Sequence, residues 1–212
     1  MLDKIYISFI FAAFISGLIF IKKSSPFNYK LLLFFLLVTC MNESVCFFIK
    51  SNALGSTYIF YNFYYYFRFP LIGWMFLPLF YSKFQKKIVY LFFILSISFF
   101  FFNFFFYYQA IELHINYQLL GGIFTITFCL LHFYNILKRS HKENPLTTNF
   151  FWISTGFFFY FLGTLPFFGV LRLLVEKDII FAEQYYILVK SLNIYLYSLI
   201  ALDFYIQWKY QK

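Results

Sequence analysis

Long apolar segments alternate with short polar connections along the whole chain. The segments cover about residues 5–21, 31–49, 58–81, 88–107, 115–137, 150–174 and 184–206. Each approaches the roughly 20 residues that an α-helix needs to cross the hydrocarbon of a bilayer. No connection between them is long enough to hold a soluble domain. The pattern predicts one domain, residues 1–212, with an all-α fold: a polytopic transmembrane bundle of about seven helices.

Composition supports a membrane protein. Hydrophobic residues make up 63% of the chain and charged residues only 12%, whereas a soluble domain carries roughly 25% charged residues. The 38 phenylalanines and 20 tyrosines suggest an aromatic ligand site. However, isoleucine, asparagine and lysine are abundant as well, which an AT-rich genome would produce without any functional requirement. Composition alone therefore does not decide for an aromatic site.

The distribution of basic residues predicts the orientation, because Lys and Arg are retained on the cytoplasmic side. One set of connections and the carboxyl terminus hold Lys22, Lys23, Lys30, Lys83, Lys86, Lys87, Lys138, Arg139, Lys142, Lys209 and Lys212. The opposite set holds Lys4, Lys50, Arg172 and Lys177. We therefore expect a multi-pass membrane protein with its amino terminus outside and its carboxyl terminus inside. The net charge of +9 is scattered, which indicates contact with membrane lipids and not with nucleic acid.

Three ionisable residues lie within predicted spans: Glu43, Arg68 and Lys190. Each would cost roughly 2.5 to 3.5 kcal/mol at bilayer depth without a partner or water. Helical spacing adds neighbouring polar residues and tyrosines on the same faces. The resulting layer in the outer half of the membrane comprises Asn42, Glu43, Asn62, Arg68, Asn103, Lys190 and Asn193, lined by Tyr61, Tyr65, Tyr186 and Tyr197.

Two interpretations of this polar layer stay open. In the first, Glu43 pairs with Arg68 or Lys190, and the network only fixes helix packing. In the second, the layer surrounds a cavity, and the surplus of positive charge suits an anionic ligand or a lipid headgroup. Lys190 lies close to a helix end, so its side chain has a third possibility, which is to extend to the outer surface.

No set of residues indicates catalysis, a metal or a cofactor. The three histidines fall at three different depths, and the three cysteines form no C-x-x-C pair. Asp3 and Asp203 fall at opposite membrane faces, so they do not form an intramembrane acid pair. A retinal-type site is disfavoured because Lys190 is shallow and the third segment offers Arg68 in place of an acidic counter-ion. The chain is therefore expected not to be an enzyme.

Two aromatic regions carry a family resemblance. The first is Tyr61-Asn62-Phe63-Tyr64 with Phe67-Arg68-Phe69. The second is Asn144-Pro145-Leu146 leading into Phe150-Phe151-Trp152-Ile153 and Tyr160-Phe161-Leu162-Gly163. Over about residues 30–206 the chain resembles a seven-helix membrane module of Bacteroidota-type bacteria, found alone or ahead of sensor histidine-kinase cores. It departs from that module at Arg68, where an acidic residue is usual, and no kinase domain follows Ile206.

The resemblance implies a sensory, receptor-like or accessory protein that binds a ligand, lipid or partner. Any signal would pass to a cytoplasmic or membrane protein partner through the inner connections or residues 207–212. The alternative is a membrane regulator or pore-forming effector of a CRISPR-associated antiviral defence system, which would act as a homo-oligomer. Small size and a basic inner face suit both.

Overall fold

The computed structural model describes residues 2–22, 25–106, 114–139, 144–175 and 179–210. These residues form seven α-helices and two short 3-10 turns, Leu77–Leu79 and Pro145–Thr147. The α-helices are α1 (Leu2–Phe20), α2 (Phe27–Ser51), α3 (Tyr58–Phe76), α4 (Lys83–Phe106), α5 (Ile115–Arg139), α6 (Phe151–Val175) and α7 (Ile179–Tyr210). The predicted all-α bundle of about seven helices is confirmed.

Five of the seven helices are long and apolar enough to cross a membrane: α1, α2, α4, α5 and α7. In α6 the apolar stretch among the described side chains, Phe151–Phe167, is shorter. Helix α3 is not among the helices apolar enough to cross a membrane, because Asn62, Arg68 and several tyrosines lower its mean hydropathy. Asn62, Tyr64, Tyr65 and Arg68 are nevertheless buried, so α3 is polar toward the bundle and apolar outside. This architecture fits a multi-pass membrane protein.

Six helices form a closed ring in the order α1, α2, α3, α5, α6 and α7, and α7 packs back against α1. Helix α4 lies outside this ring against α3 and α5. Close approach of α3 to α5 depends on Gly121, because a Cβ atom there would collide with the Phe69 ring. The glycine thereby lets the Phe69 side chain reach the centre of the bundle, one residue beyond Arg68.

The end of the bundle that holds the α2 amino terminus is filled with aromatic side chains. Phe35 packs against Phe157 at 6.0 Å between ring centroids, and Phe76 packs edge-on against Phe150 at 5.7 Å. All four rings are fully buried. Among the described residues, this packed core fills the interior of the ring near that end.

A buried polar cluster fixes the start of α6. The Tyr29 hydroxyl donates to Asp203 Oδ2 at 2.6 Å and accepts from the Phe150 backbone N–H at 3.0 Å. Asp203 Oδ1 accepts from the Trp152 backbone N–H at 3.2 Å. Because the first N–H groups of a helix have no partners within it, Asp203 of α7 stabilises the α6 terminus. The segment that carries the second part of the family resemblance therefore has a structural role here.

Candidate ligand-binding cavity

A cavity of about 700 Å³ lies inside the ring at the end that holds the amino terminus. Residues from the α2–α3 connection, Gly55, Ser56 and Thr57, surround it at this end. Arg68 and Gln118 are also part of its wall. Such a volume lies within the usual range for small-molecule sites. The remaining lining residues are Tyr6, Glu43, Lys50, Tyr58, Tyr61, Tyr64, Tyr65, Tyr160, Tyr185, Tyr186, Val189, Lys190, Asn193 and Tyr197.

Tyrosine is concentrated in this cavity and phenylalanine is excluded from it. Nine tyrosines and no phenylalanine occur among the described residues of the wall, although the chain has 38 Phe and only 20 Tyr. Compositional bias explains how many aromatic residues the chain has, but it does not explain this sorting. Tyrosine therefore lines this partly open cavity, and phenylalanine is found in the packed core and on the lipid-facing surface.

Arg68 is the most unusual residue of the wall. Its side chain is buried, with 5% exposed, and its Nε and Nη2 atoms have no hydrogen-bond partner among the described residues. No described carboxylate forms an ion pair with it, so the expected pairing with Glu43 is absent. The guanidinium is surrounded instead by rings at 5.2 to 5.8 Å from their centroids: Tyr64, Phe69, Tyr160 and Phe161.

Lys190 forms an ion pair with Asp3, which the sequence analysis placed at a membrane face without a partner. Its Nζ atom lies 3.2 Å from Asp3 Oδ1 and 3.9 Å from the centroid of the Tyr6 ring. The Lys190 side chain is only 12% exposed, so it does not extend freely to the surface. The ion pair joins the first turn of α1 to α7 at the cavity mouth. The expected pairing of Lys190 with Glu43 is therefore replaced by pairing with Asp3.

Glu43 is buried on the α2 side of the cavity and interacts with hydroxyl groups. Its Oε2 atom accepts a hydrogen bond from the Tyr61 hydroxyl at 3.3 Å. The Tyr6 hydroxyl also interacts with this carboxylate. With Asp3 included, the cavity region holds two acids, Asp3 and Glu43, and three cations, Lys50, Arg68 and Lys190. The balance is one net positive charge. Lys190 has an acidic partner, whereas Arg68 and Lys50 form no ion pair with a described carboxylate; of these two cations, only Arg68 is buried.

The structure brings most of the predicted layer together. Glu43, Arg68, Lys190 and Asn193 line the cavity, as do all the tyrosines that the helical spacing selected, Tyr61, Tyr65, Tyr186 and Tyr197. These residues come from three different helices, so the shared face within each helix was the information that located them.

Three predicted asparagines lie outside the cavity wall. Asn42 faces a groove on the outer surface between α2 and α3, because it is turned by one residue from Glu43. Asn62 accepts from the His114 backbone N–H at 2.9 Å. Asn103 donates to the Phe99 carbonyl on its own helix at 2.9 Å, since α4 lies outside the ring.

Partial burial lowers the pKa of His114, whose Nδ1 lies 2.8 Å from the Tyr66 hydroxyl.

The sequence interpretation missed several residues of the wall, and Gln118 is the most informative. It lies in the first turn of α5, is 1% exposed, and its Oε1 atom has no partner among the described residues. A glutamine directly before the long apolar run of α5 is a signal that could have located it. Two residues of the wall, Gln118 and Arg68, therefore carry buried polar atoms that have no partner among the described residues.

Comparisons with protein-family models, curated proteins and solved structures give no match. Within the described part of the chain, no group of three or more His, Cys, Asp or Glu side chains could hold a metal ion.

Proposed function

We propose that this chain is a receptor-like or accessory protein of the bacterial inner membrane that binds an anionic ligand in the tyrosine-lined cavity and does not catalyse a reaction. The observation that carries this proposal is the unpaired Arg68 guanidinium in the cavity wall. Its charge, its unpartnered N–H groups and the aromatic rings around it support an anion site.

The energetics favour a ligand over a structural role for Arg68. Burying an unpaired ion costs several kcal/mol after relaxation, and an unsatisfied buried donor costs roughly 1 to 3 kcal/mol more. Each contact with an aromatic face returns about 0.5 to 2 kcal/mol, and Nε and Nη2 still have no hydrogen-bond acceptor among the described residues. An anion that accepts from Nε and Nη2 would satisfy both atoms, and planar guanidinium groups suit carboxylate and phosphate oxygens especially well.

The tyrosines would select the rest of the ligand. Their hydroxyl groups both donate and accept, and their rings offer apolar faces, so they suit a ligand with both polar and apolar parts. Gln118 adds an acceptor for a ligand hydroxyl or N–H group. The ligand would enter from outside the cell if the charge distribution sets the orientation, and a partner protein would respond to its binding.

A pore through the bundle is less well supported. The aromatic core around Phe76 and Phe150 fills the opposite end of the ring. A single copy therefore has a pocket that ends within the bundle.

Cysteine accessibility tests the cavity. In a chain with Cys40, Cys46 and Cys129 replaced by alanine, Asn193→Cys should react in intact cells with a membrane-impermeant maleimide, because Asn193 lines the cavity. Glycerol phosphate added as a simple anion should slow this reaction. The matched control is Tyr195→Cys, roughly 3 Å along the same helix on the outer surface, which should stay unreactive because it faces lipid.

Protection of Asn193→Cys from the reagent on both sides of the membrane, in a folded and inserted variant, would contradict an open cavity. Reaction from the cytoplasmic side alone would preserve the cavity and reverse the orientation. Reaction that glycerol phosphate does not slow would contradict anion binding at this site.

A further inference from the structure

A second, largely apolar cavity adjoins the first. It is a groove of about 510 Å³ between α2 and α3, on the side of the bundle that faces away from its interior. Its apolar walls are formed by Val38, Met41 and Val45 of α2 and by Ile59, Phe60 and Phe63 of α3, among others. In a membrane this groove faces the hydrocarbon of the lipids, where a flexible hydrocarbon chain could lie in it.

Tyr64 separates the groove from the tyrosine-lined cavity, because its side chain is part of both walls. Its ring lies 5.8 Å from the Arg68 guanidinium. Its hydroxyl is held at 2.8 Å from the Thr39 hydroxyl of α2. A hydrocarbon chain that passed from the cavity to the groove would have to displace this side chain and break its hydrogen bond to Thr39.

The groove also contains one polar group that lipid hydrocarbon cannot satisfy. Asn42 Nδ2 is buried and has no hydrogen-bond partner among the described residues, and Asn42 is part of the groove wall. An N–H donor left unused in an apolar groove is unfavourable. An ester or amide oxygen in the occupant would satisfy it.

We infer that the anionic ligand is an amphiphile: its charged head binds at Arg68, and its acyl chain leaves the cavity past Tyr64 and lies in the groove between α2 and α3. The inference rests on the proposed function and specifies its ligand class. Charge complementarity places the head, and the groove beside Tyr64 places the chain. A polar linkage between head and chain would lie near Asn42.

Two probes with the same head test this assignment. Glycerol phosphate carries the head alone, and lauroylglycerol phosphate adds an ester and a hydrocarbon chain. Binding of each radiolabelled probe is measured on the full-length chain in detergent at fixed concentration. We expect lauroylglycerol phosphate to bind about tenfold more tightly than glycerol phosphate. Transfer of the whole hydrocarbon chain from water into the groove would give a larger gain, but the detergent micelle also keeps this hydrocarbon away from water.

Met41→Trp fills the groove, and Ile94→Trp is the matched control on α4. Both original side chains are exposed to lipid, at 63% and 61%, and Ile94 is not part of the groove. In Met41→Trp the two probes should bind with affinities within about twofold of each other, because the indole ring occupies the groove in which the hydrocarbon chain of the lipid would lie. Ile94→Trp should keep the gain. Unchanged binding of glycerol phosphate shows that each variant is folded.

Each remaining outcome separates the two proposals. If Met41→Trp still binds lauroylglycerol phosphate about tenfold more tightly than glycerol phosphate, the hydrocarbon chain of the lipid does not lie in the groove. The inference is then overturned. If the wild-type chain binds glycerol phosphate as tightly as the lipid, the inference fails and the anion site stands. If neither probe binds, the proposed function fails as well.

Discussion

At the scale of single residues, the sequence identified which charges matter but not how they pair. Glu43, Arg68 and Lys190 were located by depth, and all three line one cavity. Pairing depends on how helices α1, α2, α3 and α7 are arranged around the ring, which local periodicity does not contain. Asp3 could not be assigned to Lys190 because 187 positions of chain separate them and only the packing of α1 on α7 brings them together.

A double-mutant cycle tests the Asp3–Lys190 pair. Asp3→Asn combined with Lys190→Gln should show a coupling free energy of about 1 kcal/mol, a modest value because Asp3 is partly exposed. Glu43→Gln combined with Lys190→Gln is the comparison cycle and should show weaker coupling. Unfolding in mixed detergent micelles measures both. A larger coupling between Glu43 and Lys190 would contradict the pairing described here.

At the scale of helices, periodicity and length predicted each element, and boundaries moved by a few residues. The clearest failure concerns α3, whose predicted span to residue 81 ends as an α-helix at Phe76 and continues as a 3-10 turn over Leu77–Leu79. Pro78 lies in that turn and supplies no backbone N–H, and Phe80 after it is extended, which ends the helical backbone. The cap of α6 by Asp203 was also not predictable, because its partners belong to three separate helices.

Removing the α6 cap should destabilise the bundle. Tyr29→Phe deletes the hydroxyl that donates to Asp203 and accepts from Phe150. Because it leaves the buried carboxylate with one donor fewer, we expect a loss of roughly 1 to 3 kcal/mol in the free energy of unfolding. Tyr205→Phe, at an exposed tyrosine of α7, is the control and should change stability by less than about 0.5 kcal/mol. Equal effects of the two changes would contradict the capping role.

At the scale of the whole molecule, the sequence predicted a seven-helix bundle but not the order of helices around it. Placement of α4 outside the ring removed Asn103 from the cavity, and this could not be read from a sequence in which all seven segments look similar. The sorting of tyrosine into the cavity was also hidden by the compositional bias of the chain. Only the assembled ring separates the nine tyrosines of the wall from the phenylalanines around them.

The most direct measurement of the ligand-binding account is the stability of Arg68→Met without and with glycerol phosphate. If Arg68 serves a ligand, removing its unpaired charge should raise the unfolding midpoint of the ligand-free protein, equivalent to about 1 to 4 kcal/mol, and abolish any stabilisation by the anion. Lys190→Met is the matched control: it removes a paired cation and should lower the midpoint. A lower midpoint for Arg68→Met, with stabilisation by glycerol phosphate unchanged, would contradict the account and make Arg68 a packing residue.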